Sequence, residues 1–204
     1  MSRDRIPLLS KSRFGAGLQC HKRLFLECYS PKLADPIDPG QQAIFESGTA
    51  VGELARERFP GGRLIEEEYF RHDDALAATR EVIADQSVPA IYEAAFTHDD
   101  VRVRVDILVR RSGGVFDLVE VKSSTGVHEQ HIPDVAIQLH VVEGAGIKVR
   151  QAFLLHIDSS YVYEGGSYDV SRLFQLEDVT KGGTRLRPAA DARDAGGDAG
   201  GATP

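Results

Sequence analysis

The chain has 204 residues, of which 42% are hydrophobic and 27% charged, and its formal net charge is −7. That length suits one medium domain with a sizeable core, and no apolar run approaches the roughly 20 residues needed to span a bilayer. A negative balance argues against a general polyanion binder, because phosphate contacts need Lys and Arg.

The charge is unevenly spread. Residues 1–32 carry Arg3, Arg5, Lys11, Arg13, Lys22, Arg23 and Lys32 against only Asp4 and Glu27. A basic segment of this kind can steer a polyanion locally. The apolar patch at residues 6–9 is too short for a signal-peptide core, and no small-residue cleavage site follows it, so a cytoplasmic location is expected. Cys20 and Cys28 are too few for a disulfide scaffold and are not spaced as CxxC, which predicts reduced thiols.

In chain order, residues 10–29 read as one helix with Ser10 or Ser12 as N-cap and Phe14, Leu18, Leu24 and Leu26 as apolar positions. Pro31, Pro36 and Pro39 mark an irregular connection. A second helix is predicted over 40–59, with Ala43, Ile44, Val51, Leu54, Ala55 and Phe59 near one face, ended by Pro60-Gly61-Gly62. A strand is expected at 63–70. A helix over about 73–85 follows, capped by Asp73 and Asp74, and then a short strand at 90–96.

The clearest pattern is next. Val101, Val103, Val105, Ile107 and Val109 alternate with Arg102, Arg104, Asp106, Leu108 and Arg110, the period-two signature of a half-buried strand. Ser112-Gly113-Gly114 is a hairpin turn, and residues 115–122 form an apolar return strand central in the sheet. A helix over 133–144, a strand over 148–157 and a pairing segment at 161–164 complete the pattern, while 173–179 fits strand or helix. From Lys181 the composition turns to Gly, Ala, Asp and Arg, and a disordered tail is expected over 181–204. The domain itself spans 1–180. Its fold class is α/β, a central mixed β-sheet flanked by helices.

The hairpin carries the chemistry. Glu120 and Lys122 are two apart on one strand and share a face. A three-residue or bulged turn puts Asp106 opposite or nearly opposite Glu120, with directly paired Cβ atoms about 4.5–5.5 Å apart. Two carboxylates that close repel, and one takes up a proton unless a cation lies between them. Hard oxygen donors suit Mg²⁺, and the carbonyl of Val121 is a further candidate ligand. Lys122 stands where it can orient the attacking water or help deprotonate it, while the cation stabilises charge on phosphoryl oxygens. The plain alternative is a charged sheet face with a cross-strand ion pair.

The segment VRVRVDILVRRSGGVFDLVEVKSST resembles motifs II and III of the PD-(D/E)XK nuclease superfamily, with Asp106, Glu120 and Lys122 at the signature positions. SKSRFGAGLQCHKRLFLECY resembles the N-terminal helix of RecB-like and CRISPR-associated exonuclease domains. FESGTAVGELARERFPGG resembles their first acidic motif, with Glu53 at the acidic position, and DVAIQLHVVEGAG resembles the later helix bearing a glutamine, here Gln138. The ordered series covers about residues 8–180 and is most similar to the RecB-like domain at the start of a bacterial family. It implies a restriction-endonuclease-like fold and Mg²⁺- or Mn²⁺-dependent hydrolysis of phosphodiesters, in DNA rather than RNA, without a membrane partner. Glu53 would support the metal site, Asp106 and Glu120 would bind the ion, Lys122 would be catalytic, and Gln138 would position substrate or water.

Three departures qualify the resemblance. The usual histidine before the acidic position is Gly52, the tyrosine four residues after the glutamine is Val142, and Cys20 matches the first cysteine of an iron–sulfur set that has no cysteine beyond Cys28. Four thiolates normally hold such a cluster, so none is expected within this chain. These departures keep a second reading open: a catalytically weak or inactive nuclease-fold module that binds nucleic acid or a protein. Gly15-Ala16-Gly17 lacks the third glycine and preceding strand of a dinucleotide site, and His128-Glu129-Gln130-His131 lacks HExxH spacing.

Overall fold

The structure, a computed structural model, describes residues 8–185. In chain order its elements are β1 (Leu9–Ser10), α1 (Lys11–Gln19), α2 (His21–Tyr29), α3 (Pro39–Arg56), β2 (Arg63–Leu64), α4 (His72–Ala84), β3 (Ala90–His98), β4 (Val101–Arg111), β5 (Val115–Lys122), α5 (Ile132–Gly144), β6 (Val149–Ile157), α6 (Val170–Leu173), β7 (Phe174–Asp178) and α7 (Thr180–Arg185). The strands form one seven-stranded mixed sheet in the order β2-β3-β4-β5-β6-β7, with β1 pairing β4 off that path. Helices flank this sheet, so the α/β architecture is as the sequence predicts.

The centre follows from the apolar patterning. β5 lies between antiparallel β4 and parallel β6, and helix α5 makes the crossover between the parallel pair. Phe116 and Leu118 pack in one buried cluster with Val135, Leu139 and Val142 of α5, while Val119 packs in another with Ala55 of α3 and Leu155 of β6. A strand covered on both faces must be apolar on both, which is why β5 does not alternate. Helix α5 is likewise buried almost all round: Val135 to Leu139, Val141 and Val142 are all buried.

Asp117 interrupts the apolar run early in β5. It is fully buried, and its carboxylate accepts from Arg111 Nε at 2.6 Å and from Arg150 Nε and Nη2 at 2.8 and 2.6 Å. Burial pushes its pKa up, but the two guanidinium groups outweigh burial and hold it below the usual carboxylate value. This stabilisation is present above the ordinary carboxylate range and is lost as pH falls through the lowered value. Asp117→Ala is expected to cost about 1–3 kcal/mol in urea denaturation, less than a sealed ion pair, because both arginine heads are partly exposed and rehydrate.

Several sequence expectations need correction. The helix predicted over 10–29 breaks at Cys20 (φ −164°, ψ 122°) into α1 and α2. Gly17 explains the fold-back: a Cβ there would sit 3.0 Å from Leu24 Cδ2, so its absence lets the second helix pack on the first. Ser10 caps α1 by accepting from Arg13 N. Leu18 is exposed rather than inward, as is Ile44 on α3.

The strand at 63–70 shrinks to Arg63–Leu64, since the Glu66-Glu67-Glu68 run that follows resists burial. Arg71, not Asp73 or Asp74, occupies the N-cap of α4, and the two aspartates lie in its first turn. Residues 161–164 form no strand; β7 pairs with β6 instead, which resolves the ambiguity at 173–179. Helix α7 occupies residues 181–185 of the expected tail, and residues 186–204 lie outside the described residues. Among the described residues no helix is long and apolar enough to cross a membrane.

Candidate metal centre

The β4–β5 turn is Ser112-Gly113-Gly114, with both glycines at positive φ (82° and 72°). Arg111 pairs with Val115 and the ladder runs to Ile107 opposite Val119, so the next pair in this register is Asp106 with Glu120. The ladder stops there because the Asp106 side chain replaces it: Oδ2 accepts from Val121 N at 2.7 Å. The three-residue loop thus brings the two carboxylates together as the spacing predicts.

Glu120 is almost wholly buried and is saturated with donors. Lys11 Nζ lies 2.8 and 2.9 Å from its two oxygens, Lys122 Nζ lies 2.8 Å from Oε1, and Gln138 Nε2 donates to Oε2 at 2.6 Å. Lys122 also reaches Asp134 Oδ2 at 2.5 Å. Three carboxylates, Asp106, Glu120 and Asp134, therefore meet two ammonium groups, Lys11 and Lys122. Burial alone raises the Glu120 pKa, but Lys11 and Lys122 overcome it and hold Glu120 down at about 2.

Asp106 is the charge left over. Burial and the Glu120 charge push its carboxyl up to about 7, against the pull of Lys11 and the Val121 N–H. Lys122 experiences the reverse: burial works against its ammonium, but Glu120 and Asp134 keep its pKa above the ordinary value. In this state Lys122 is a charged donor.

Above Asp106 opens a hollow of about 490 Å³ between α3 and the sheet, at the middle of β4 and the end of β5, lined by Asp106, Val121 and Lys122, by Gly48, Gly52 and Arg56 of α3, and by Glu93 of β3. Gly48, Gly52 and Arg56 recur every four residues and so present one helix face to it. Glu53 is one step round the helix, about 100° away. It is exposed and lines a neighbouring depression that shares Phe45 and Thr49 with the hollow, so Glu53 does not itself line the hollow with Asp106.

Glu93 does line the hollow. Tyr92 pairs with Ile107 and Ala94 with Val105, so Glu93 faces Asp106 in register. It adopts φ 57°, a left-handed conformation that costs of order 1–3 kcal/mol in a residue other than glycine. Arg104 Nη1 donates to its carbonyl at 3.0 Å, and Arg56 Nη2 lies 3.5 Å from its carboxylate.

Gln138 is fully buried below the hollow and does not line it. Besides Glu120 it donates to the Asp134 carbonyl at 3.0 Å, while its Oε1 is buried with no partner. In this structure its amide nitrogen holds Glu120 in place.

Comparison with known proteins adds little. No family model matches the chain, and no curated protein matches it by sequence. One solved structure, titled "Crystal structure of SSO0001", is similar over 88% of this chain and 70% of its own, with 11% identity and a TM-score of 0.38, a likeness too slight to carry an argument.

Lys11, Asp134 and Glu93 were not singled out by sequence reasoning, yet two of them left a signal. A lysine in the first turn of a helix opposes the macrodipole, so Lys11 directly after the Ser10 cap is anomalous and points to a carboxylate elsewhere. Glu93 breaks the apolar run AIYEAAF of a buried strand. Asp134 left none: an acid in the first turn of α5 is what the helix dipole favours anyway.

Proposed function

We propose that the protein is a divalent-metal-dependent nuclease that hydrolyses DNA phosphodiester bonds. The observation that carries this reading is the unbalanced carboxylate of Asp106, which neighbours the buried Glu120 and, with Lys122, lines a solvent-open hollow. The donor set fits a hard cation. Asp106, Glu120 and the Val121 carbonyl are oxygen donors of the kind Mg²⁺ takes, and Asp106 lacks a neutralising partner of its own. Bound Mg²⁺ would supply Lewis-acid stabilisation of the phosphoryl oxygens.

The chain's own residues supply the rest. Lys122 lines the hollow, and its charged Nζ, held between Glu120 and Asp134, would orient water and stabilise developing negative charge. Gln138 fixes the Glu120 carboxylate, and Arg56 adds a cation on the opposite wall. A larger groove of about 820 Å³ runs beside α1 and α2, lined by Arg13, Lys22, Arg23, Arg102 and Tyr69 among others. Cations with an aromatic face suit a nucleic-acid strand, and a cytoplasmic setting fits such a substrate. Labelled single- and double-stranded DNA is expected to be cut in Mg²⁺ or Mn²⁺, to survive in excess chelator, and to survive with Lys122→Ala. Intact DNA with the wild-type protein in either metal, or cutting by Lys122→Ala at the wild-type rate, overturns this reading.

One observation favours the second reading, a nuclease-fold module that binds without cutting. Lys11 occupies both oxygens of Glu120, which is where a metal ion needs at least one of them.

A further inference from the structure

The β3–β4 hairpin turns at Asp99-Asp100, and both residues have positive φ (49° and 57°). This is the two-residue turn for which Asn-Gly or Asp-Gly is the relaxed choice. Its conformation brings the Asp99 carboxylate to α5: Oδ2 lies 2.9 Å from His140 Nε2 and 3.4 Å from His98 Nε2. The two imidazole rings are 5.3 Å apart, centroid to centroid. One donor atom from each of the three residues falls within 4.8 Å of the others, the only such group of three or more His, Cys, Asp or Glu among the described residues.

The surroundings hold the donors in place. His98 ends β3, paired with Val101 across the turn. Its ring lies against α5 at Gly144, where an added Cβ would come within 2.0 Å of Cδ2, so only glycine leaves room for it. His140 is one turn before Gly144 on the same helix. Two imidazole nitrogens and one carboxylate oxygen, all partly open to solvent, thus converge from a hairpin and a helix 41 residues apart.

We infer that His98, Asp99 and His140 form a binding site for a divalent transition-metal ion, with Zn²⁺ the fitting occupant. Imidazole selects this class over Mg²⁺, which takes oxygen ligands. Zn²⁺ binds His nitrogen at about 2.0–2.1 Å and carboxylate oxygen at about 2.0–2.2 Å, so tetrahedral donors stand about 3.4 Å apart. The observed 2.9 and 3.4 Å lie near that value, and the two histidine nitrogens lie within 4.8 Å of each other. The exposed side of Asp99 leaves the fourth position to water. The ion would staple the hairpin tip to α5, the helix that carries Asp134 and Gln138 to Glu120. The site shares no residue with the Asp106 centre and stands or falls apart from it.

The test is titration of ZnCl₂ into the full chain by calorimetry, for wild type, for the His98→Ala/His140→Ala double variant, and for Asp106→Ala. Wild type and Asp106→Ala are expected to share one Zn²⁺ site whose affinity falls at least about tenfold in the double variant. Zn²⁺ is also expected to raise the melting temperature of wild type and not of the double variant. Nitrogen NMR of the seven histidines in the unaltered chain keeps the test decisive if the double variant folds poorly: the Nε2 signals of His98 and His140 should move together with one equivalent of Zn²⁺. Shifts confined to His128 and His131, whose rings lie 5.1 Å apart, or equal affinity in wild type and the double variant, overturn the site.

Discussion

Asp106→Asn is expected to abolish metal-dependent cleavage and, in metal-free buffer above neutral pH, to make the protein more stable than wild type. Both effects come from one feature. The Asp106 carboxyl is pushed from an ordinary 3.8 up to about 7 by burial and by Glu120. A carboxylate whose folded pKa exceeds its unfolded value binds more protons when folded, so its contribution to stability declines as pH rises between the two values. From about pH 4 to about pH 7 the wild-type chain therefore loses stability through this group. A tenfold change in a proton's affinity is worth about 1.4 kcal/mol, so the loss over that range amounts to a few kcal/mol.

Asparagine has nearly the same shape and still accepts from Val121 N through its Oδ1, but it carries no charge. Urea denaturation at pH 5 and pH 8 in chelator measures the difference: wild type should weaken between them and the variant should not. Added Mg²⁺ should reverse the order, because only the wild type offers a carboxylate to the ion. Parallel pH dependence in the two proteins would falsify the assignment of Asp106 as the unbalanced charge. Glu120 titrates in another window and in the other sense: held down at about 2, it stabilises above the ordinary glutamate range and loses that contribution as pH falls towards 2.

What could be read from the sequence divides along a physical line. The β4–β5 hairpin was legible because period-two patterning, a Gly-Gly turn and the ExK spacing all act over short range. A three-residue loop fixes register, and register fixes that Asp106 meets Glu120. The mixed sheet and the helix of α5 were legible as well, since both follow from local apolar patterning.

The contribution of α1 and α3 was not legible. Which helix face meets the hollow depends on packing angle, and a rotation of about 100° decides between Gly52 and Glu53. The apolar positions on α3 did not settle it, because Ile44 and Phe45 are largely exposed while only Ala55 is fully buried. Lys11 belongs to the same class. It lies 109 residues from Glu120 in sequence, and no local rule connects them.

Lys11→Met is the sharper test of how the centre works. Lys11 reaches Glu120 from α1 with only about a quarter of its side chain exposed, and it touches both carboxylate oxygens. Burial disfavours its ammonium, yet Glu120 and Asp106 outweigh burial and raise its pKa above the ordinary value. Methionine keeps the aliphatic length and removes the charge. In chelator, Glu120 then depends on Lys122 and Gln138 alone, and Asp106 loses the cation that opposes its upward shift. Removing one partner of a buried ion pair is costly, and a destabilisation of about 3 kcal/mol is expected, with Asp106 pushed further towards its neutral form.

With Mg²⁺ the consequence is opposite. A tethered ammonium and a metal ion compete for the same two oxygens, so removing the ammonium frees them. Metal affinity measured by calorimetry should rise at least about tenfold, a gain of about 1.4 kcal/mol, and stability should become steeply Mg²⁺-dependent. If cleavage is limited by metal occupancy, the Mg²⁺ concentration for half-maximal rate falls in parallel. Unchanged Mg²⁺ affinity together with unchanged stability in chelator would show that Lys11 neither holds Glu120 nor competes for it. A variant that binds Mg²⁺ tightly and still leaves DNA intact would turn the balance to the binding module, because the obstacle at Glu120 would be gone and the chemistry would still be missing.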